Sequence, residues 1–300
     1  MAASIDQGSI VSTSIASGVS SATFTTSTAG PKEVIVLFIG NAPSSSSIQS
    51  SNGLQYVQRG VASNPPAQYQ EFVAISPQAL SNETITINFS TSTSGIVPII
   101  IFAISGLNTI SLFDNNSSIP QAVATVNFTS GTPLSTTYST NNANDFIVAL
   151  SSCINSTTLV ITNTDFTQIT TTPVVNRSLG TAYYRIANSS VNNETVTSQP
   201  DGEVATQPIS LIVDAFEIAP EVPTPTIAAP RLPVYTSIGI DPIAGTFFKP
   251  VQTPILGASV VQSLPVSGII QPRNTVMLAG GGRVQGQIIT RDIFGRIRRI

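Results

Sequence analysis

Residues 83–89 read Glu-Thr-Ile-Thr-Ile-Asn-Phe, so apolar and polar side chains alternate along this segment. Because successive side chains of a β-strand point to opposite faces, the pattern predicts a strand with one face in a core and the other in water. Strands of this kind line β-sandwiches. This segment is therefore the best single indicator of the fold class.

Other apolar segments recur on both sides of this strand, between turn residues. Residues 34–39 (Val-Ile-Val-Leu-Phe-Ile) and 97–105 are almost wholly apolar, as expected for strands buried on both faces. Further strand candidates lie at residues 53–59, 69–75, 122–128, 145–150, 157–162, 180–187 and 209–218. The pattern predicts an all-β protein, built as an antiparallel two-sheet β-sandwich of jelly-roll or Greek-key type.

Composition divides the chain into four regions. We expect residues 1–21 to be a flexible N-terminal segment and residues 22–218 to be the β-sandwich domain. Residues 219–233 contain five prolines, which is typical of a stiff, extended connector. Residues 234–300 form too short a region for an independent core, so we expect a β-rich anchoring module that completes its fold against a neighbour.

Low charge suggests an exposed β-protein, and the N-terminal sequence suggests that it is assembled inside a cell. Charged residues make up only 9% of the chain, yet residues 1–20 lack the basic start and the continuous apolar run of a signal peptide. Virion components combine these two properties, so we expect a virion location, with the cell surface as the alternative. The longest apolar stretch, residues 96–107, is too short to span a bilayer, and we expect no transmembrane segment.

Residue types exclude several kinds of chemistry. The chain has no His and a single Cys, Cys153, so Ser-His-Asp sites, Cys-His sites and internal disulfides are excluded. We expect Cys153 to be a small buried apolar group. Paired carboxylates would be the remaining route to a glycosidase. The candidates are Asp201 and Glu203, Asp214 and Glu217, and Glu71. Asp201-Gly202 looks like a turn, and Asp214 and Glu217 should point to opposite faces of a strand, so we expect no enzyme. Oxygen ligands for Ca²⁺ exist at Asp114-Asn115-Asn116 and at Asp145, but no ligand-loop spacing supports such a site, so we expect no cofactor or metal.

Over residues 22–218 the order of segments resembles a jelly-roll-like β-sandwich domain of virus and phage structural proteins. The segments that carry the resemblance are FTTSTAGPKEVIVLFIG (24–40), SNGLQYVQRG (51–60), ETITINFS (83–90), IIIFAISGL (99–107), NANDFIVALSS (142–152), GTAYYRIANSS (180–190) and ISLIVDAFEIA (209–219). The richness in Ile, Ser, Thr and Asn is similar to that of virion proteins of viruses of thermophilic archaea. The resemblance implies a sandwich fold and a structural role.

Nine asparagines begin the glycosylation motif Asn-X-Ser/Thr. They are Asn82, Asn88, Asn115, Asn116, Asn127, Asn155, Asn176, Asn188 and Asn193. N-glycans on these residues would fit an exposed sandwich. Alternatively, Ser, Thr and Asn form the uncharged solvent face of strands and turns, and their abundance produces such motifs by chance.

Positive charge is concentrated at the C-terminus. Residues 273–300 contain six arginines and a single acidic residue, Asp292. The candidate docking residues are Arg283, Arg291, Phe294, Arg296, Arg298 and Arg299. We expect this basic arm to dock on a neighbouring subunit. Contact with a genome or an anionic membrane, or a plain surface strand, are the alternatives.

Together these features predict a structural virion subunit of tail, turret, spike or shell type. It would repeat in an assembly with copies of itself and with other virion proteins, and it would present the sandwich to a glycan or protein of the host surface. We do not expect nucleic acid to be its main partner, because the net charge is only -3. A cell-surface adhesin or carbohydrate-binding module is the alternative, with Tyr69, Tyr183 and Tyr184 as candidates for stacking on sugars.

Overall fold

The computed structural model describes residues 2–43, 46–65, 67–128, 133–201, 207–220, 289–291 and 297–299. Every regular element in these residues is a β-strand, which confirms the all-β prediction. The chain divides into two compact units, Met1–Ala228 and Ala229–Ile300. The first unit holds sixteen of the strands, and the described part of the second unit is one hairpin.

The first eight strands form two antiparallel sheets. The strands are β1 (Ser4–Ile15), β2 (Ser21–Thr26), β3 (Val34–Ala42), β4 (Ser46–Ser50), β5 (Val57–Asn64), β6 (Ala67–Ile75), β7 (Glu83–Phe89) and β8 (Val97–Ser105). Five of them lie in the order β1-β8-β3-β6-β5, and the other three in the order β2-β7-β4. The first and last strands are therefore neighbours, as in jelly-roll folds.

The next eight strands repeat this arrangement. They are β9 (Gln121–Phe128), β10 (Leu134–Tyr138), β11 (Asp145–Cys153), β12 (Leu159–Ile161), β13 (Thr167–Thr171), β14 (Leu179–Ala187), β15 (Glu194–Pro200) and β16 (Gln207–Glu217). Their sheets have the orders β9-β16-β11-β14-β13 and β10-β15-β12. Adding eight to each strand number of the first half gives these orders. The β-sandwich prediction is confirmed in class, but residues 22–218 contain parts of two tandem sandwiches where we expected one.

Each half has its own core between its two sheets. In the first half, Ile35 and Leu37 of β3 pack with Ile85 and Ile87 of β7. The alternation in residues 83–89 appears in the structure as buried and half-buried positions in turn. A sandwich core of this kind follows directly from the period of two in the sequence.

A third core, which we call the seam, lies between the two five-stranded sheets. Val34 and Phe38 of β3 meet Phe146, Val148 and Leu150 of β11 there. Strand β3 therefore faces its own sandwich core on one side and the seam on the other. This explains why residues 34–39 are all apolar and have no solvent exposure.

The duplication is also visible in a hydrogen bond that occurs once in each half. It joins the residue before β7 or β15 to the turn that leads into β3 or β11. In the first half, the Ser27 hydroxyl accepts from the Asn82 N–H at 3.0 Å. In the second half, the Ser139 hydroxyl accepts from the Asn193 N–H at 2.9 Å. Both asparagines adopt a left-handed backbone and are followed by Glu-Thr. The two halves are thus equivalent in sequence, conformation and contacts at this turn.

The N-terminal segment differs from its prediction. Residues 1–21 were expected to be flexible, but Ser4–Ile15 forms β1 and pairs with β8. The register of this pairing shifts between Asp6 and Val11. Because such a bulge inserts an extra residue, it breaks the period of two by which a half-buried strand is recognised.

The structure describes only part of the predicted C-terminal anchoring module. In the second unit, β17 (Ile289–Arg291) and β18 (Ile297–Arg299) form an antiparallel hairpin in which Arg291 lies opposite Ile297. Residues 221–233 of the proline-rich connector and most of the anchoring module lie outside the described residues.

Gly40 is needed for close packing across the seam. A Cβ at this position would lie 2.5 Å from the Ser152 Oγ. We expect Gly40→Ala to destabilise the protein by about 1–3 kcal/mol, because overpacking forces neighbouring groups apart. Urea unfolding measures this, with Gly95→Ala, which has more space, as the control. Adding Ser152→Gly should restore stability; if it does not, the contact is not the cause.

Candidate functional site

The seam contains one buried ion pair, between Arg59 of β5 and Asp214 of β16, among the residues that the structure describes. The Arg59 Nε donates to the Asp214 Oδ2 at 3.1 Å, and Nη2 donates to Oδ1 at 3.0 Å. The Asp214 side chain is fully buried and that of Arg59 is 19% exposed. This two-point geometry joins the two halves, because β5 belongs to the first and β16 to the second.

Local structure places the Arg59 guanidinium over the Phe113 ring. The guanidinium carbon is 3.7 Å from the ring centroid, within the range of a cation–π contact. Strand β5 has a register shift between Gln58 and Val61, and such bulges re-aim side chains. We attribute the inward orientation of Arg59 to this bulge.

Glu71 is a second carboxyl group in the seam. It is fully buried, and neither of its side-chain oxygens has a hydrogen-bond partner. Burial and the nearby Asp214 raise the pKa of Glu71 well above its usual range, although Arg59 opposes this. Burial and Asp214 therefore favour the neutral form of Glu71 beside the Arg59–Asp214 ion pair.

A neutral and an ionised carboxyl group are also the components of a glycosidase site. Here Glu71 and Asp214 both have no solvent exposure, so neither can contact a substrate. Glu217, the other carboxylate of β16, accepts hydrogen bonds from the side chains of Asn108 and Asn142 instead. The arrangement of Arg59, Glu71 and Asp214 can hold the two halves together.

An apolar pocket of about 450 Å³ opens beside this cluster. Phe113 belongs to its lining, together with Leu54, Val73, Ile75 and Leu112. Its apolar lining suits an aliphatic or aromatic group better than a sugar.

The tyrosines proposed for sugar stacking do not form an exposed platform. Tyr69 has no solvent exposure and Tyr183 is 7% exposed. Tyr184 stacks on Phe146 of the seam with ring centroids 5.0 Å apart. Their strands are interior members of the five-stranded sheets, which explains their burial.

The described sequon asparagines divide by exposure. The exposed ones are Asn82, Asn115, Asn176, Asn188 and Asn193, and the half-buried ones are Asn88, Asn116 and Asn155; the Asn127 side chain lies outside the described residues. Those with a left-handed backbone are Asn82, Asn155, Asn176 and Asn193. Because Asn tolerates this conformation better than most residues, turn geometry alone accounts for these four. Their glycosylation stays a prediction.

Cys153 is fully buried beside Leu159, Leu179 and Ile209, as predicted. Burial raises the pKa of its thiol to about 12, so the thiol is inert at neutral pH.

The predicted docking residues are described only by their backbone, where they are described at all. Arg291 lies on β17, and Arg298 and Arg299 lie on β18. Arg283, Phe294 and Arg296 lie outside the described residues. Docking by this arm stays a prediction.

Comparison of the chain with protein-family models, with curated proteins and with solved structures finds no match. Within the described ranges, no helix has the length and hydropathy that a membrane crossing requires.

Neither the role of Arg59 nor the duplication of the sandwich was predicted from the sequence. Arg59 and Asp214 are 155 residues apart, and no local pattern links them. The duplication did leave a signal, since Asn-Glu-Thr occurs at residues 82–84 and again at 193–195. Ser-Thr, at residues 27–28 and 139–140, also precedes a carboxyl residue at the same spacing in both halves, Glu33 and Asp145.

Proposed function

We propose that this protein is a structural subunit of a virion, as a tail, turret, spike or shell component. The observation that carries the proposal is the tandem pair of eight-stranded sandwiches with jelly-roll strand order. Viral capsid proteins are among the main users of this architecture. Its role is binding and scaffolding, and its location is the virion.

Charge separation supports assembly through the C-terminal region. Residues 1–228 carry 13 acidic and four basic side chains, whereas residues 229–300 carry two acidic and eight basic ones. Opposite charges on the two regions favour contacts between copies and with other virion proteins. The two sandwiches are then the part of the subunit that faces a host-surface glycan or protein.

The test is the assembly state of the full chain with the hairpin arginines replaced. We expect the unmodified protein to form discrete oligomers by light scattering and regular particles or filaments by electron microscopy. The triple variant Arg291→Gln, Arg298→Gln, Arg299→Gln should associate at least a hundredfold more weakly, because each charge-assisted contact contributes about 1.5–3 kcal/mol.

The control leaves the C-terminal region intact and removes two exposed charges from residues 1–228, as Lys32→Gln, Arg177→Gln. It should assemble like the unmodified protein. A monomeric unmodified chain under all salt conditions contradicts the proposal, and equal weakening of both variants contradicts the role of the hairpin.

A further inference from the structure

A buried carboxyl group stands at the start of the central strand in each half. Glu33 immediately precedes β3 and is 3% exposed, and Asp145 is the first residue of β11 and has no exposure. The Glu33 Oε2 and both side-chain oxygens of Asp145 have no hydrogen-bond partner. Burial of an unpartnered carboxylate is costly, so each of these groups requires a donor.

In the first half, a second carboxyl group meets Glu33 at the turn before β3. Asp6 accepts from the backbone N–H of Gly8 at 2.9 Å and of Ala29 at 2.7 Å. Glu33 Oε1 accepts from the N–H of Gly30, the next amide along the chain, at 2.8 Å. The two carboxyl groups thus accept from adjacent amides of one turn, and Asp6 is close enough to raise the pKa of Glu33.

The second half repeats this pair. Asp114 accepts from the backbone N–H of Asn116 at 2.7 Å, of Asn141 at 2.8 Å and of Asn142 at 2.9 Å. Asp145 follows this turn, and Asp114 is close enough to raise its pKa. Asn141 and Asn142 follow Ser139-Thr140 as Ala29 and Gly30 follow Ser27-Thr28. The same pair therefore occurs twice, on differing local sequences.

Neither member of a pair can donate while both are carboxylates. Backbone amides already stabilise Asp6 and Asp114 as acceptors, so the missing donor is an O–H on the buried partner. A proton on Glu33 or Asp145 removes the buried negative charge and gives one unpartnered oxygen of that group a hydrogen bond to its neighbour.

The surrounding groups favour that proton. Asp145 faces Asp114 and, from β16, Glu217, while the nearby Thr140 hydroxyl opposes their effect on its pKa. Burial, and then these carboxylates, raise the pKa of Asp145 to about 7. In the first half, burial and Asp6 raise the pKa of Glu33, and the Gly30 amide opposes them.

A bound cation would be another way to satisfy such oxygens. No cluster of three or more Asp, Glu, His or Cys side chains suited to a metal exists among the described residues. A cation such as Ca²⁺ takes six to eight oxygen ligands, more than two carboxyl groups supply. The geometry thus favours a proton.

We propose that each half is closed by one proton shared between its two carboxyl groups, which makes the two-sandwich unit tightest in acid and looser above neutral pH. The inference is independent of virion assembly. A group with a raised pKa in the folded state contributes stability that is complete below its unfolded pKa and is lost as the pH rises through its folded pKa. For Asp145 this window runs from about pH 4 to about pH 7.

Urea unfolding of the full chain between pH 4 and pH 9 tests this. We expect the folding equilibrium constant to fall with rising pH, by up to tenfold per pH unit for each of the two shared protons. The double variant Glu33→Gln, Asp145→Asn keeps a donor at both positions and should flatten the dependence. A smaller slope should persist in it, because Glu71 in the seam also has a raised pKa. The control is Asp165→Asn, whose side chain is 76% exposed and which should keep the full slope.

Several results would overturn the proposal. One is a free energy of unfolding that rises with pH. Another is the same pH dependence in the unmodified protein and in the double variant. The third is a stabilisation by millimolar Ca²⁺ at pH 8 that the double variant loses. If the double variant does not fold, carboxyl ¹³C NMR of the unmodified protein decides. The proposal requires an Asp145 resonance that stays protonated at pH 6 and a Glu33 resonance that titrates above the usual range of Glu, and an ionised Asp145 at pH 6 would contradict it.

Discussion

Phe146→Ala should destabilise the protein by about 3–5 kcal/mol, one of the two largest effects that we expect. Phe146 is fully buried in the seam and stacks on Tyr184. Its removal leaves a cavity between two five-stranded sheets, which cannot close over it without disturbing both sandwich cores. The measurement is the free energy of unfolding in urea.

Ile110→Ala is the matched control for Phe146→Ala, because Ile110 is 98% exposed. This change should alter stability by less than about 0.5 kcal/mol. Equal effects of the two substitutions would show that the seam does not stabilise the fold.

Arg59→Met should also destabilise by about 3–5 kcal/mol, since it leaves the Asp214 carboxylate buried without its partner. Methionine keeps much of the apolar contact with Phe113, so the loss measures charge rather than packing. The double variant Arg59→Met, Asp214→Leu should recover most of the stability, because replacement of a whole buried pair by apolar groups is often neutral. The two single variants and the double variant form a thermodynamic cycle, and strictly additive losses would contradict the pairing.

The sequence predicted the parts of the fold that depend on local periodicity. The alternation in residues 83–89 and the apolar run in residues 34–39 each gave a strand of the correct type. Strand β1 was not predicted, because its register shift between Asp6 and Val11 interrupts the alternation of apolar and polar residues. The position of a bulge depends on the partner strand, and the sequence of one segment does not show which strand that is.

The candidate site was less predictable than the fold. The Arg59 and Asp214 contact spans 155 residues and depends on the packing of two halves whose existence was not recognised. The repeated Asn-Glu-Thr and Ser-Thr segments carried that information, but they are short and composed of the commonest residues of the chain. Recognition required the strand orders, in which the duplication is complete.

The tandem arrangement has a consequence for symmetry. Phe102 lies opposite Val36 in the first half, and Asp214 lies opposite Val148 at the corresponding place in the second half. A homodimer of single sandwiches would carry the same residue at both places, and two buried carboxylates would then each need a cation. Because one covalent chain supplies both halves, each half can be altered alone. Asp214 therefore makes its polar contact in the second half, and the equivalent residue of the first half, Phe102, keeps a hydrocarbon side chain.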